Sequence, residues 1–485
     1  MSRILFLALL FFSPLLAAEK PNLLLILADD MGYGDLSCYG SKQIQTPNID
    51  RLAAGGIRCT DSYVSNNVCA PSRAGLMTGR YGSRFGHEHN PGAGDYLKPE
   101  FLGIPLDEKL LSQRLKELGY RTGISGKWHL GESVPEQHPN ARGFDFFFGM
   151  LGGGHEYFPK PETHQLVYNG KRAMKIRTPY LTDWITLEAR DFIHGEGKAA
   201  TEDRKKPWFL YLSYNSPHTP LEALPEDIAA FSHIQPMHRR LYCAMQRCMD
   251  RNIGTILDDL KSSGQLDNTL IVFLSDNGGS VESSHAVNAP LRGSKGTFFE
   301  GGIRVPMIYH WPARWKPRVY RKPVISLDIM ATFVAAAGGM PPKPNVPVKI
   351  PGRKNPAIYD SVNLAPFFTG ENDAAPHDIL FWRAVTRGDA VRMGDWKLVR
   401  PNSLQPMLFN LADDISESNN LFAKHPEIVR DMLRKKIAWE VSFERAPMFT
   451  SASHYIDYNR RLYDMEFSTT QPTLDSTEDI WQMPK

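Results

Sequence analysis

Two short segments of the chain consist of continuous apolar runs, the first introduced by a single asparagine, and both end abruptly at polar residues. They are Asn22 to Ala28 (NLLLILA) and Leu270 to Leu274 (LIVFL). A continuous apolar run of this length is typical of a strand buried on both faces. The first run stops at Asp29, and the second leads within two residues to Asp276.

Other predicted strands alternate with helical patterns. The strands are Ile57 to Val64, Arg121 to Ser125, Trp208 to Tyr214 and Val305 to Tyr309. The helices are Thr46-Pro47 to Gly55-Gly56, Lys109 to Leu118 and Met237 to Leu260. The alternation predicts an α/β fold, a parallel sheet with helices on both faces, whose functional sites lie at the carboxyl ends of the strands.

The pattern changes beyond about residue 376. Asp395 to Arg400 and Met407 to Leu411 are predicted as short strands, and Pro426 to Arg445 as a long amphipathic helix. We therefore expect a catalytic domain over residues 19–375 and a small α+β subdomain with an antiparallel sheet over residues 376–485.

Residues 1–18 are typical of a secretory signal peptide, because Arg3 precedes the apolar stretch Ile4 to Leu16 and small residues follow. The alternative, a membrane-spanning helix, is disfavoured by the short run and by Ser13 and Pro14 within it. The sequence predicts a secreted or periplasmic protein, lysosomal if eukaryotic, with no stable membrane anchor.

Composition excludes several classes of protein. Hydrophobic residues make up 42% of the 485 residues and charged residues 22%, which is ordinary for a globular chain. The net charge of +3 is too balanced to indicate a nucleic-acid-binding protein. Five cysteines are too few for a disulfide scaffold, and Cys243 and Cys248 would lie about 140° apart around a helix, a poor geometry for a bond. Cys69 is the candidate for chemistry.

Asp29 and Asp30 follow the first apolar strand directly. Successive strand side chains point to opposite faces, so both can serve one site only if the chain turns there. Gly32 and Gly34 are predicted to permit that turn. Two like charges at a buried strand end are costly unless a cation neutralises them. The alternative is a pair of solvated loop acids.

Asp276 and Asn277 add further oxygen atoms at the end of the second apolar strand. Together with Asp29 and Asp30 they form a donor set made only of oxygen. Such a set selects a hard cation, Ca²⁺ or Mg²⁺, whereas zinc sites are usually richer in histidine or cysteine.

The segment Cys69-Ala70-Pro71-Ser72-Arg73 starts with a thiol, and its proline is predicted at the first position of a helix. Cys69 would then lie at a helix N-terminus, where free N–H groups favour an anion. The residue types alone leave two readings open, a buried structural cysteine and a nucleophile.

This segment, followed by Leu76, Thr78, Gly79 and Arg80, resembles the signature of the formylglycine-dependent sulfatases in the alkaline phosphatase superfamily. The resemblance extends over most of the chain and thins after about residue 400, and it implies a large mixed, mostly parallel sheet sandwiched by helices. Further matching motifs are Asp29-Asp30 with Gly32-Tyr33-Gly34, Gly126 to Gly131, Arg142 to Asp145, Ser216 to His218, Ser275 to Gly278, Leu291 to Lys295 and Glu300 to Pro306.

The resemblance implies that a formylglycine-generating or equivalent maturation enzyme oxidises Cys69 to Cα-formylglycine. One hydroxyl of the hydrated aldehyde would attack sulfur, and the second would allow sulfate to be expelled and the aldehyde regenerated. The resemblance also implies one Ca²⁺ ion, with Mg²⁺ as the alternative, held by Asp29, Asp30, Asp276, Asn277 and the modified Cys69.

Further roles follow from the same resemblance. Lys127 would bind sulfate, Lys295 would bind sulfate and the leaving oxygen, and His218 would bind sulfate or donate the proton of the leaving group. His129 would orient the diol and act as base, and Arg73 would hold the formylglycine. Lys127 and His129 alternate on an extended segment, which predicts that they face the same side.

The substrate is less defined by the sequence. His87, His89, His155 and His285 lie in polar loops next to these motifs and are candidates for contacts with sugar hydroxyls, or are ordinary loop residues. We expect an exported sulfatase acting on a sulfated carbohydrate of the glycosaminoglycan or galactan type. The alternatives are a phosphonate or phosphodiester hydrolase and a non-catalytic carbohydrate-binding protein.

Overall fold

The computed structural model describes residues 19–91, 102–350, 353, 355–402 and 404–445, so the predicted signal peptide (residues 1–18) lies outside the described residues. Within these ranges, no helix combines the length and the apolar character needed to cross a membrane.

The strands are β1 (Asn22–Ala28), β2 (Ile57–Cys59), β3 (Ser62–Tyr63), β4 (Arg121–Lys127), β5 (Phe146–Met150), β6 (Val167–Tyr168), β7 (Lys171–Arg172), β8 (Trp208–Ser213), β9 (Thr269–Ser275), β10 (Met307–His310), β11 (Arg318–Tyr320), β12 (Val324–Ile325), β13 (Pro347–Val348), β14 (Ala357–Ile358), β15 (Ile379–Ala384), β16 (Gly388–Met393), β17 (Trp396–Pro401) and β18 (Met407–Asn410). The α-helices are α1 (Pro47–Gly55), α2 (Cys69–Thr78), α3 (Leu111–Glu117), α4 (Leu181–His194), α5 (Pro225–Ala230), α6 (Met237–Ser262), α7 (Val281–Ser284), α8 (Glu300–Ile303), α9 (Asp328–Ala336), α10 (Ala365–Thr369) and α11 (Pro426–Val441).

A ten-stranded sheet organises the chain, in the order β11-β2-β10-β9-β1-β8-β4-β5-β6-β7. Its central strands, from β9 to β5, run parallel, and β10 and β6 are antiparallel to their central neighbours. The predicted α/β fold class is therefore confirmed, including the mixed character of the sheet.

Strand β1 shows why the sheet needs helices on both faces. Leu23 and Leu25 pack into one apolar cluster with α3 and α9, whereas Leu24 and Ile26 pack into another with α4 and α6. All four side chains are fully buried. Burying each one stabilises the fold by about 1.5–3 kcal/mol, so the continuous apolar run holds the two layers together at the strand that leads into Asp29.

The segment predicted as one strand from Ile57 to Val64 is two strands, so that prediction is wrong. Strand β2 belongs to the large sheet, and β3 pairs with β12 in a separate ladder. The chain bends between them at Asp61, whose carboxylate pairs with Arg304 and Arg392. These ion pairs draw the acidic residue away from a regular strand.

The C-terminal region contains the expected antiparallel sheet, in the order β15-β16-β17-β18, and the helix α11. Apolar residues of this sheet, such as Trp382 and Leu398, form one cluster with Tyr63 and Ile303 from the preceding part of the chain. The sheet is thus packed directly on the larger domain. The proposed start of this subdomain is residue 376, and residues 446–485 lie outside the described part of the chain.

All five cysteines fall within the described residues, and none forms a disulfide bond. Cys243 and Cys248 are both buried in α6. Their predicted place on a single helix is confirmed.

Candidate active site

Four neighbouring strands of the large sheet, β9, β1, β8 and β4, direct polar residues to a single edge. This is the carboxyl edge, where loops of parallel α/β sheets carry functional groups. In strand order the residues at the strand ends or in the loops after them are Asp276 and Asn277, Asp29 and Asp30, His218, and Lys127.

The chain turns at Asp30 itself, which has a φ of 64°. Aspartate tolerates this left-handed conformation better than most residues. The prediction that Gly32 and Gly34 permit this turn is therefore wrong, since neither glycine has a positive φ. Both glycines are needed for close packing instead: a Cβ atom on Gly32 would lie 2.3 Å from the carbonyl oxygen of Val287, and one on Gly34 would lie 2.5 Å from that of Ala289.

Helix α2 begins at Cys69, so Pro71 occupies its third position and not the first as predicted. The sulfur of Cys69 lies 3.1 Å from Nζ of Lys295 and 3.9 Å from Oδ1 of Asp30. Burial raises the pKa of the thiol to about 11, which the neighbouring Lys127 and Lys295 only partly counteract. Unmodified Cys69 is accordingly a protonated thiol and a weak nucleophile.

Arg73 lies one turn further along α2 and is fully buried. Its Nε donates to Oδ2 of Asp276 at 2.8 Å, and its Nη1 donates to Oγ of Ser213 at 2.7 Å. Ser213 in turn donates to the carbonyl oxygen of Lys127 at 2.7 Å. These bonds tie α2 to three strand ends, whereas the role of Arg73 toward a modified Cys69 remains a prediction. Ser213 was not predicted, although its place at the end of a buried strand was a usable signal.

Among the predicted metal ligands, two buried oxygen atoms have no hydrogen-bond partner in the described residues, Oδ1 of Asp29 and Oδ1 of Asn277. The other oxygen of Asp29 accepts a hydrogen bond from Lys127 at 2.6 Å. Burial would raise the pKa of Asp29, but Lys127, His218 and the nearby guanidinium lower it overall. An ionised carboxylate and an amide oxygen without donors fit a hard cation.

One group of potential ligand atoms lies together within 4.8 Å, from Asp29, Asp30, Cys69 and His218. Asp276, predicted as a ligand, has its oxygens engaged by the backbone N–H of Asp30 at 3.2 Å and by Arg73. Burial and the charge of Asp29 raise the pKa of Asp276, and a cation at this edge would stabilise its ionised form.

His129 does not alternate with Lys127 on an extended segment, because β4 ends at Lys127 and His129 has a φ of 59°. The prediction that both residues lie on one extended segment is therefore wrong. The ring still lies within the charge cluster: burial, together with Lys127 and Arg73, holds its pKa well below the ordinary value. His129 is therefore a neutral imidazole. A Cβ atom on Gly153 would lie 2.7 Å from its Nε2.

His218 borders the same cluster and its side chain is 21% exposed. Its Nδ1 lies 2.6 Å from the carbonyl oxygen of Thr219, which can only accept, so Nδ1 carries a proton. Its Nε2 lies 3.5 Å from Oδ2 of Asp30. A proton on Nε2 as well would convert this contact into an ion pair.

The four loop histidines differ in exposure. His87 and His89 are buried, and burial lowers the pKa of each to about 3. Neither side chain is thus accessible to a substrate in solvent. His285 stacks on His238 with ring centroids 5.2 Å apart, while His155 lies half-buried in the loop that carries Gly153.

Comparison with known proteins agrees with this arrangement. Residues 21–340 match the family model described as Sulfatase. The chain is 32% identical over 467 residues to Arylsulfatase J of Mus musculus, covering 86% of this chain and 75% of that protein. It is 34% identical over 400 residues to N-acetylgalactosamine-6-sulfatase of Canis lupus familiaris, covering 79% and 72%.

Solved structures are similar over nearly the whole chain. The crystal structure of Ps i-CgsB has 38% sequence identity and a TM-score of 0.79, covering 95% of this chain and 99% of that one. A second crystal structure of Ps i-CgsB, in complex with k-i-k-neocarrahexaose, has 37% identity and a TM-score of 0.78 over the same shares.

Proposed function

The chain belongs to the sulfatase family of the alkaline phosphatase superfamily and is a sulfuric ester hydrolase, and from this premise we propose that it removes sulfate from sulfated carbohydrates of the glycosaminoglycan or galactan type. The observation that carries the proposal is the position of Cys69, at the start of α2 and 3.1 Å from Lys295, beside the acidic strand ends. Support for a carbohydrate comes from one similar protein named N-acetylgalactosamine-6-sulfatase and from one similar structure that is a complex with k-i-k-neocarrahexaose.

We propose that Asp29, Asp30, Asp276 and Asn277, with the modified Cys69, hold one Ca²⁺ ion, Mg²⁺ being the alternative. The oxygen atoms without donors on Asp29 and Asn277 support this choice. The bound ion would stabilise negative charge on a sulfate oxygen. The formylglycine formed from Cys69 by a maturation enzyme would supply the attacking hydroxyl.

The remaining residues have tasks that their contacts support. Lys127 and Lys295 place two cations beside the carboxylates, at 2.6 Å from Asp29 and 2.7 Å from Asp30, where a sulfate dianion needs positive charge. Arg73 fixes the orientation of Asp276 through its bond to that carboxylate.

Two histidines divide the proton transfers. Because Nδ1 of His218 is committed to Thr219, the atom that gives a proton to the leaving oxygen is Nε2. His129 is neutral, and in the proposed mechanism it accepts the proton that must leave the modified Cys69 before sulfate is released.

We also propose that residues 1–18 direct export, to the periplasm or the exterior, or to the lysosome if the source is eukaryotic. Secretory maturation would bring the chain into contact with the oxidising enzyme that modifies Cys69.

The proposal is tested with the purified full chain, produced in a host that makes formylglycine and supplied with Ca²⁺. Sulfate release is measured over defined sulfated galactan and glycosaminoglycan oligosaccharides, with matched phosphate and phosphonate esters and a Cys69→Ala control. We expect turnover of a sulfated oligosaccharide that the control lacks. Faster turnover of the phosphorus esters would favour the rival hydrolase, and binding without turnover by the modified enzyme would favour a binding protein.

A further inference from the structure

A buried ion network joins the C-terminal sheet to the catalytic domain. Lys397, on β17, is fully buried, and its Nζ lies 2.8 Å from Oε1 of Glu300 and 2.9 Å from Oε1 of Glu417. The second oxygen of Glu417 accepts a hydrogen bond from the backbone N–H of Glu300 at 2.7 Å. Buried charges are stable only with such partners, so these three residues hold one another in place.

Glu300 is the first residue of the short helix α8, which packs against the loop that follows Asn277. The backbone N–H of Gly278 donates to the carbonyl oxygen of Gly302 at 3.0 Å. A Cβ atom on Gly278 would lie only 1.8 Å from the carbonyl oxygen of Gly301. A displacement of α8 would therefore move Gly278, the residue that follows the predicted metal ligand Asn277.

The same helix also packs against the loop that carries Lys295. The backbone N–H of Gly301 donates to the carbonyl oxygen of Arg292 at 2.6 Å. The backbone N–H of Lys295 donates to the carbonyl oxygen of Gly279 at 3.1 Å. The side chain of Arg292 reaches the C-terminal region and donates to the carbonyl oxygen of Glu417 at 2.7 Å. Glu417 is thus hydrogen-bonded both to α8, through the backbone N–H of Glu300, and to the loop that carries Lys295, through the side chain of Arg292.

We propose that Lys397 and Glu417 of the C-terminal subdomain are positioning residues for sulfate ester hydrolysis. They hold α8 in place, and α8 in turn fixes the positions of Lys295 and Asn277. The inference rests on the proposed function of the site. Removing the ammonium of Lys397 would leave Glu300 with Arg304, at 3.1 Å, but would leave the carboxylate of Glu417 buried beside that of Glu300 without its cation. Two like charges in that position repel each other, so Glu300, the first residue of α8, would shift.

The chain offers a matched control in Lys436, on α11. Its side chain is 6% exposed and pairs with Asp389 at 3.1 Å and Glu440 at 2.8 Å, all within the C-terminal subdomain. Lys436→Met therefore removes a buried ammonium from the same subdomain without touching α8. Its effect measures general destabilisation.

The experiment compares wild type, Lys397→Met and Lys436→Met by thermal unfolding, by calorimetric titration with Ca²⁺, and by kcat and KM on a sulfate ester. We expect Lys397→Met to lower kcat by about 10- to 100-fold, as loss of a residue that supports a site typically does, with little change in KM. Its Ca²⁺ affinity should also fall. Lys436→Met should retain wild-type kcat and Ca²⁺ affinity at a similar loss of thermal stability.

Two more variants decide the case if Lys397→Met unfolds. Glu417→Gln keeps the pair between Lys397 and Glu300 and should fold, with a smaller loss of kcat. The double variant Lys397→Met with Glu417→Gln removes the repulsion and should recover part of the activity lost in Lys397→Met. Wild-type kcat in both Lys397→Met and Glu417→Gln, or equal losses in Lys397→Met and Lys436→Met, would overturn the inference. A wild-type enzyme without sulfatase activity would instead overturn the proposed function.

Discussion

The amino nitrogen of Lys295 lies 3.1 Å from the sulfur of Cys69 and pairs with Oδ2 of Asp30 at 2.7 Å. Burial would lower the pKa of Lys295, but Asp30 and the other acids of the site raise it well above its ordinary value. The side chain is therefore a fixed cation beside the atom that the modification would replace. In the proposed mechanism this cation would lie where negative charge develops in sulfate transfer.

Lys295→Met should lower kcat by about 10²–10³-fold, the usual cost of removing one group that stabilises transition-state charge. The measurement is steady-state kinetics on a sulfate ester, with Lys205→Met, an exposed lysine, as the control. Undiminished kcat in Lys295→Met would remove this residue from the mechanism.

Chelation should abolish activity, and Ca²⁺ or Mg²⁺ should restore it, because the proposed ligands offer hard oxygen atoms. Asp276→Ala should lose both metal affinity and turnover, since Arg73 also loses its carboxylate partner. Asp267→Ala, which removes an exposed acid, serves as control. Metal content is read by elemental analysis, and stoichiometric zinc in the active enzyme would contradict the predicted ion.

The two histidines can be separated by the leaving group. His218→Ala should damage hydrolysis of a sugar sulfate by about 10²–10⁴-fold and that of nitrophenyl sulfate far less, because nitrophenolate leaves without a proton. His129→Ala should slow both substrates and give a burst of one equivalent of nitrophenol before the reaction stalls. Equal losses on the two substrates for His218→Ala would leave that residue only as a sulfate ligand.

Neighbouring glycines provide a steric test of His129. Gly153→Ala would place a methyl group 2.7 Å from Nε2 of His129, so the ring must move, and kcat should fall by about 10- to 100-fold. Gly154→Ala meets its nearest atoms, on His218 and Thr219, at ordinary contact distances of 3.9 Å. It should therefore leave kcat close to wild type. Matching activities in the two variants would show that the position of His129 is not critical.

Local pattern was sufficient to predict the central strand and the edge of the sheet that carries the site. The continuous apolar run gave β1 its observed bounds, Asn22–Ala28, and the carboxyl ends of parallel strands necessarily meet. The left-handed turn at Asp30 was not foreseen, because a single φ angle depends on packing that no short pattern records.

No pattern in the sequence indicates which residues far apart along the chain come into contact. Glu300 and Lys397 are 97 positions apart, and each alone looks like an ordinary surface charge. Only the docking of the C-terminal sheet buries them together. Ser213 lies at the end of a strand that the sequence predicts, but its contact with Arg73, 140 positions away, could not be predicted.

The most direct test is the mass of the peptide that contains Cys69, measured in the same preparation whose sulfatase activity is recorded. The active enzyme should contain this residue about 18 Da lighter than cysteine, as formylglycine, and activity should rise with the modified fraction. Cys69→Ser should fold and bind Ca²⁺ but not turn over, because serine lacks the second hydroxyl needed for release. Full activity in a preparation that contains only unmodified cysteine would contradict the proposed mechanism.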